Sequence, residues 1–329
     1  MNKLITFLTA IILCNPIQAQ NHDIEKLIKE PRFSNDTLIR VEADTLKGFN
    51  FPYFVFIPAQ INLGKETTLI IEPNNTGFPN DTLQIHEKDA KKVATNKFYI
   101  GNYVSRKLYI PLLVPVFPRP LSNWKIYTHA FDRDAAIAEG EIKRLDLQLV
   151  AMINDARERL KIFGIELQEK VFLTGFSASG TFVNRFALIH PEIIKGYACG
   201  GINGILMLPI DKIKENKLLY PIGIYDFKSL FKKDFQLNEF IKIPQFIFMG
   251  ENDNNDAVQF NDGYNDADRK IIYKLLGKKM MPERWNNCQN EYLEQKVNVI
   301  FKTYISIGHD YNENTKNEIT NFFLNIINK

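Results

Sequence analysis

Cysteine and histidine are scarce in this sequence, with three and five copies in 329 residues. Neither occurs at the spacing that zinc sites and similar metal centres use, so we expect no metal centre and no cofactor. Cys199 and Cys288 are far apart along the chain, which specifies no disulfide. We expect both thiols to be buried and unpaired.

An excess of one charge is also missing. Lys and Arg total 41 against 38 Asp and Glu, a formal net charge of +3, and the lysines are scattered rather than clustered. Nucleic-acid-binding surfaces need a basic patch, so we expect no nucleic-acid partner. Internal repeats and low-complexity segments are absent too. The length allows one large α/β domain or two smaller ones.

Long hydrophobic runs are limited to one, Leu4–Leu13. It is too short to span a bilayer and no second run is long enough, so no stable membrane span is expected. Lys3 precedes the run, and Ala19 follows it at a position where signal peptidase can cut before Gln20. This is the pattern of a secretory signal peptide. We predict a signal peptide at 1–19 and a secreted or periplasmic mature chain.

Short apolar runs alternate with helical patterns along the rest of the chain. This alternation predicts the α/β class, with a mostly parallel sheet flanked by helices. A long amphipathic helix is predicted at 134–163, another helix after residue 177 and a terminal helix at 312–327. The predicted strands are 51–58, 67–72, 108–114, 170–174, 194–199, 244–249 and 297–304.

The domain organisation follows from this alternation. Residues 20–45 are polar and are predicted to be an N-terminal lead-in, and 46–329 are predicted to form one domain. Ligands of such sheets bind beyond the carboxyl ends of the strands. Segments 204–243 and 254–296 are longer than simple connections, and we predict that they form a small cap over the site.

A serine lies where one strand gives way to a helix, in the stretch "VFLTGFSASGTFVNRF" at 171–186. Gly175 and Ser179 flank Ser177 as small residues two positions away, which a strained nucleophile elbow requires. If Ser179 were the nucleophile, Thr181 would be one of the two flanking positions, where space is tight. We therefore predict Ser177 as the nucleophile. The alternative is a serine that only caps the helix.

A nucleophilic serine needs a base, which in this arrangement comes last along the chain, after an acid. Only His190 and His309 follow Ser177. His309 lies in Gly-His-Asp between the last strand and the last helix and is the predicted base, whereas His190 is predicted to end a helix and point away. Surface or loop roles are predicted for the three earlier histidines, His22, His86 and His129.

The acid is predicted in "PQFIFMGENDNNDAV" at 244–258, where an apolar strand is followed by Gly250 and two aspartates. Asp253 is the predicted acid, since it lies within the first residues after the strand. Asp256 is the alternative, but its expected role is to bind backbone amides of the loop. A calcium loop would need glycine and glutamate spacings that this stretch lacks.

These motifs together resemble the α/β-hydrolase superfamily from about residue 51 to the C-terminus. Within it, the chain is similar to secreted esterases of the polyhydroxybutyrate-depolymerase and feruloyl-esterase type. "LIIEPNNTG" at 69–77 occupies the place of their His-Gly loop, although Pro-Asn-Asn replaces His-Gly. The resemblance implies an oxyanion hole formed by the backbone N–H of Ala178 and a second N–H in the 74–76 loop, at Asn75.

The function that these residues favour is a secreted serine hydrolase that cleaves a carboxylic ester through an acyl-serine intermediate. His309 would take the proton of Ser177 and later give it to the leaving alcohol. The expected partner is a small-molecule or polymer ester. The alternatives are a serine peptidase of the same fold and a non-catalytic binding protein that retains it.

Overall fold

The computed structural model describes residues 33–329, so the predicted signal peptide lies outside the described residues. Ten strands are present in this part of the chain. They are β1 Thr37–Val41, β2 Tyr53–Ile57, β3 Ile70–Ile71, β4 Leu112–Pro115, β5 Val171–Phe176, β6 Ile194–Gly200, β7 Lys212–Ile213, β8 Asn216–Lys217, β9 Gln245–Gly250 and β10 Val299–Tyr304.

Eight strands form one sheet in the order β1-β2-β4-β3-β5-β6-β9-β10, and β7 and β8 form a separate two-stranded hairpin. From β4 to β10 all neighbours in the large sheet are parallel. Only β1 and β2, at one edge, pair in the antiparallel sense. The predicted mostly parallel sheet is thus confirmed. The carboxyl ends of β5, β9 and β10 lie on one side of it.

Ten α-helices accompany the sheet within residues 33–329. They are α1 Leu83–Thr95, α2 Ile100–Leu108, α3 Arg133–Ile137, α4 Leu145–Ile162, α5 Ala178–Ile189, α6 Phe227–Phe231, α7 Leu237–Phe240, α8 Asp266–Leu275, α9 Trp285–Glu294 and α10 Glu313–Ile327. None of these described helices combines the length and the apolar character that a membrane crossing requires.

The sheet is covered on both faces, because successive strand residues point to opposite sides. On β5, Val171 and Leu173 join the core beneath α4, α5, α8 and α9. Phe172, between them, faces the other core, which α1, α2 and α10 cover. Cys199 and Cys288, the two cysteines of residues 33–329, are buried and form no disulfide within that range, as expected.

Two predicted elements were wrong in their extent. The single helix at 134–163 is broken, because Gly140 adopts φ +70 and Arg144 φ 47, which no continuous helix tolerates. Ile137, expected on the buried stripe of that helix, is instead 54% exposed. The strand predicted at 108–114 begins only at Leu112, since Leu108 ends α2.

The polar lead-in is more ordered than expected where the structure describes it. Thr37–Val41 forms the edge strand β1 and pairs in register with β2. Helices α1 and α2 were not predicted at all. The predicted cap segments hold β7, β8 and helices α6 to α9, and their covering of a site stays a prediction.

Candidate active site

Ser177 occupies the sharp corner between β5 and α5. Its backbone has φ 62 and ψ −130, a conformation that non-glycine residues adopt only where the surroundings impose it. The Ser177 N–H donates to the Gly200 carbonyl on neighbouring β6, at 2.9 Å. Gly175 lets the chain turn, because a Cβ there would lie 2.6 Å from the Ser179 carbonyl oxygen. This is the geometry of a nucleophile elbow.

The two serines of the corner have different surroundings. Ser179 is buried, and its hydroxyl accepts from the Phe176 N–H at 3.1 Å and donates to the Phe176 carbonyl at 2.9 Å. Ser177 is partly exposed, and its side chain forms no cap hydrogen bond with α5. Within residues 33–329, Ser177 Oγ has no hydrogen-bond partner. Ser179 therefore holds the turn together, whereas the hydroxyl of Ser177 is available.

His309 and Asp253 lie at the ends of adjacent parallel strands. Asp253 follows β9, His309 follows β10, and the last residues of these strands, Gly250 and Tyr304, are register partners. His309 Nδ1 lies 2.9 Å from Asp253 Oδ2 and 3.1 Å from Oδ1. The two loops approach so closely that a side chain at Gly250 would overlap the Gly308 carbonyl. Asp253 is only 3% exposed, so its carboxylate is shielded from solvent where it meets the ring.

The other ring nitrogen of His309 is occupied by a residue that the sequence did not single out. Asn255 Nδ2 lies 3.0 Å from His309 Nε2, and the Asn255 N–H donates to Asp253 Oδ1 at 3.0 Å. Since the Asp253 carboxylate accepts a hydrogen bond from Nδ1–H, Nε2 carries the lone pair and accepts from the Asn255 amide. This is the tautomer a general base needs. Asn255 lies in an Asn-rich run that reads only as a turn.

His309 also packs near the serine corner. Its ring centroid lies 4.8 Å from that of Phe176, the residue before Ser177. A Cβ at Gly201, next to the Gly200 carbonyl that Ser177 binds, would lie 3.1 Å from His309 Cε1. The structure thus brings Ser177, Asp253 and His309 to one edge of the sheet. No hydrogen bond joins Ser177 to His309 in the described chain.

Asp256, the alternative acid, has other partners. It pairs with the guanidinium of Arg284, whose side chain is fully buried, and accepts the Val258 N–H at 3.0 Å. Asp256 thus carries out the loop-binding contact expected of it, and it makes no hydrogen bond with His309 among the described residues.

The remaining described histidines are all buried. His190 ends α5 and binds Asp146 at 2.9 Å. Burial raises the pKa of Asp146, but hydrogen bonds from Arg144 and His190 outweigh burial and bring it down to about 2. The surface or loop roles predicted for His86 and His129 were wrong, as they are 0% and 1% exposed. Burial lowers the pKa of His129 to about 3, so it stays neutral.

Of the two backbone donors that the resemblance implies for an oxyanion hole, only one is available. Ala178 is the first residue of α5, where backbone N–H groups have no partner within the helix. The Asn75 N–H, however, donates to Asp89 Oδ2 at 3.2 Å. Neighbouring Asn74 is buried and binds both the N–H and the carbonyl of Phe117. In this conformation the Asn75 N–H is therefore engaged.

A cleft of about 220 Å³ opens beside His309 on the side of α1 and α2. Ser179 and Asn75 reach it, and none of its lining residues comes from segments 204–243 or 254–296. We call it the aromatic cleft. Its walls include Glu72, Phe98, Tyr99, Phe176, Asp310 and Tyr311.

Glu72 is the most unusual group of the aromatic cleft. It is 2% exposed and accepts the Gly101 N–H at 2.6 Å through Oε2. Burial raises the pKa of Glu72 to about 8, and the nearby Asp89 carboxylate adds to that rise. Burial likewise raises the pKa of Asp89 to about 6. No motif or spacing in the sequence singled out Glu72 or Asp89.

Solved structures of several hydrolases resemble this chain. Poly(aspartic acid) hydrolase-1 from Sphingomonas sp. KT-1 matches with a TM-score of 0.57 at 15% identity, over 88% of this chain and 98% of that one. LpqC, a poly(3-hydroxybutyrate) depolymerase from Bordetella parapertussis, matches with 0.57 at 12% identity, over 92% and 94%. An S-formylglutathione hydrolase from Agrobacterium tumefaciens matches with 0.51 at 12% identity, over 90% and 95%.

No protein-family model matches the sequence, and no curated protein matches it. At these identities the structural likeness establishes the fold. The chain has the α/β-hydrolase fold that its motifs predicted.

Proposed function

We propose that this protein is a secreted serine hydrolase that cleaves a carboxylic ester through an acyl-serine intermediate. The observation that carries the proposal is the strained backbone of Ser177, whose hydroxyl has no hydrogen-bond partner in residues 33–329 and lies near the His309–Asp253 pair. Strain of this kind costs on the order of 1–3 kcal/mol and is found mainly at functional sites. The esterases and hydrolases among the similar structures support the same conclusion.

The proposed reaction uses His309 twice. Nε2 takes the Ser177 proton as Oγ bonds to the ester carbonyl carbon, and the protonated ring then delivers that proton to the alcohol oxygen as the ester bond breaks. Water repeats the sequence on the acyl-serine and releases the carboxylic acid. Asp253 holds the Nδ1–H tautomer and stabilises the imidazolium. Before the first step, the Asn255 side chain has to move away from Nε2, so that Nε2 can accept the Ser177 hydroxyl proton.

The negative oxygen of the tetrahedral intermediate needs donors, each worth ~2.7–4 kcal/mol in enzymes of this type. The Ala178 N–H is the first donor we propose. The second lies in the 74–76 loop. For Asn75 to supply it, as the resemblance implies, its N–H has to leave Asp89.

Labelling with a fluorophosphonate probe tests the proposal, because the probe phosphonylates only an activated serine. We expect the wild-type chain to be labelled at Ser177 and to hydrolyse p-nitrophenyl acetate. A chain that stays unlabelled and inactive while folded would instead be a binding protein. The Asn255–His309 contact is the one observation that favours that second candidate.

Export is proposed from the signal-peptide pattern at residues 1–19. N-terminal sequencing of the protein recovered from the periplasm or medium should give a chain that begins at Gln20. A cytoplasmic protein that still begins at Met1 would contradict export without touching the proposed chemistry.

A further inference from the structure

The aromatic cleft offers hydrogen-bond acceptors that are not satisfied. Glu72 uses Oε2 for the Gly101 N–H, and its Oε1 has no hydrogen-bond partner among the described residues. Asn75 Oδ1 is buried and likewise has no hydrogen-bond partner in the described part of the chain. A buried acceptor without a partner, as Asn75 Oδ1 is, is rare in folded proteins and calls for an explanation. A ligand that carries donors or positive charge would supply one.

Four aromatic residues, Phe98, Tyr99, Phe176 and Tyr311, line the cleft. The rings of Phe98 and Tyr311 lie 5.5 Å apart, and those of Phe176 and Tyr311 lie 4.8 Å apart. Aromatic faces attract cations, and cages of such rings recognise ammonium groups. The Lys316 ammonium already lies 5.9 Å from the Phe98 ring, although Lys316 is not part of the cleft.

The charged residues of the cleft also favour a cationic ligand group. Glu72 and Asp310 line it, and no Lys or Arg of residues 33–329 does so. An anionic substrate group would find no counter-charge there. A purely apolar group would leave Glu72 and Asn75 Oδ1 desolvated and unpaired. A positively charged ammonium group interacts favourably with the Glu72 carboxylate, with the carbonyl dipole of Asn75 and with the aromatic rings together.

We propose that the aromatic cleft binds an ammonium group carried by the substrate, so that the preferred ester is a cationic one. This inference rests on the proposed ester hydrolysis. His309 lines the cleft and protonates the leaving alcohol, so the ammonium belongs to the alcohol half of the ester. At about 220 Å³ the cleft is smaller than the roughly 300–1,000 Å³ of pockets that enclose a whole drug-sized ligand. It holds one group of the substrate.

The pKa of Glu72 supports this assignment. Because burial raises it to about 8, Glu72 is mostly a neutral carboxyl group at pH 7 when no cation is bound. A bound cation favours the ionised form and so draws the proton off. Binding of an ammonium ion should therefore release a proton to solvent.

Two isosteric pairs test the proposal. Choline and its neutral analogue 3,3-dimethylbutan-1-ol are titrated into the full mature chain by calorimetry. Acetylcholine and 3,3-dimethylbutyl acetate are compared as substrates by kcat/KM. We expect choline to bind and the neutral alcohol not to bind, and the cationic ester to be preferred by about 10-fold or more.

The variants separate a binding role from a structural one. Glu72→Gln keeps an oxygen for the Gly101 N–H, so loss of folding is minimised, and it should bring the ratio of the two kcat/KM values to about one. General damage would lower both values and leave the ratio. Asp234→Asn, which removes an exposed carboxylate outside the cleft, is the matched control and should keep the wild-type ratio.

The outcomes distinguish this inference from the proposed function. If p-nitrophenyl acetate is hydrolysed but choline does not bind and the ester ratio is one, the ammonium site is wrong and ester hydrolysis stands. If choline binds and Glu72→Gln abolishes binding, but the probe labels no serine, the ammonium site stands and the hydrolase proposal is wrong. A wild-type ester ratio that Glu72→Gln leaves unchanged also overturns the inference.

Discussion

Asn255 Nδ2 lies 3.0 Å from His309 Nε2, the nitrogen that a serine nucleophile must reach. The same Asn255 is tied to the acid by its backbone N–H, which donates to Asp253 Oδ1. Asp253 and His309 are therefore paired with the proton on Nδ1, as a general base requires, while Nε2 of His309 is occupied by Asn255. The Asn255 side chain is exposed, so it can leave without disturbing the core.

We predict that Asn255→Ala raises kcat/KM for simple esters. A net hydrogen bond contributes about 1 kcal/mol, so freeing Nε2 should increase the rate by about 5-fold. The backbone N–H that binds Asp253 remains in the variant. Steady-state kinetics on p-nitrophenyl acetate measures the change, with the neighbouring exposed Asn254→Ala as control. A fall in kcat/KM would mean that Asn255 holds the base in place instead of covering it.

The two serines of the corner should respond differently to removal of the hydroxyl. Ser177→Ala is expected to abolish both esterase activity and fluorophosphonate labelling. Ser179→Ala should retain both in substantial part, and should lose about 1 kcal/mol of stability because its hydroxyl joins the N–H and carbonyl of Phe176. Labelling that survives in Ser177→Ala and disappears in Ser179→Ala would reverse the assignment.

The two aspartates of the acid loop should separate turnover from stability. Asp253→Asn should reduce kcat by about 10⁴, because the ring would then take the wrong tautomer, with little change in the melting temperature. Asp256→Asn should leave turnover largely intact. It removes the partner of the buried Arg284 guanidinium, a loss that typically costs ~3–5 kcal/mol. Steady-state kinetics and thermal melts on both variants measure these effects. Near-normal turnover in Asp253→Asn together with loss of turnover in Asp256→Asn would mean that Asp256 is the acid.

The sequence predicted the parts of this molecule whose signals are local. Buried parallel strands are continuous apolar runs, so β5, β6, β9 and β10 were located within about two residues. The serine corner, the acid and the base each follow such a strand next to a glycine. Their placement at one edge of the sheet then follows from the parallel topology.

What the sequence did not predict depends on contacts between distant segments. Helix α2 contains Gly101 and Asn102, which are poor helix formers. Its start is held by Glu72, 29 positions earlier, which accepts the Gly101 N–H. Likewise, nothing in the Asn-rich loop distinguishes Asn255 until the His309 loop packs against it. Tertiary contacts of this kind leave no periodic pattern.

Glu72 should make the free energy of unfolding depend on pH, and Glu72→Gln should remove that dependence. Burial raises its pKa in the folded chain to about 8, from an ordinary value of 4.5 in the unfolded chain. Between these values the folded state holds a proton that the unfolded state has released, so the free energy of unfolding falls as pH rises through this window. Below pH 4.5 the penalty is absent, and above pH 8 it is complete.

We therefore predict that Glu72→Gln, which cannot ionise, gains stability over the wild type as pH increases from 5 to 9, by several kcal/mol at most. The groups that face Glu72, namely Asp89, Tyr99, Asp310 and Tyr311, are present in both proteins, so their own titrations largely cancel in the difference. Thermal melts across this pH range measure it, with the exposed Glu166→Gln as a control that should show no such trend. A difference that stays constant with pH would mean that Glu72 ionises in the folded chain as it does in water, and that its carboxyl group is not the desolvated acceptor that the aromatic cleft requires.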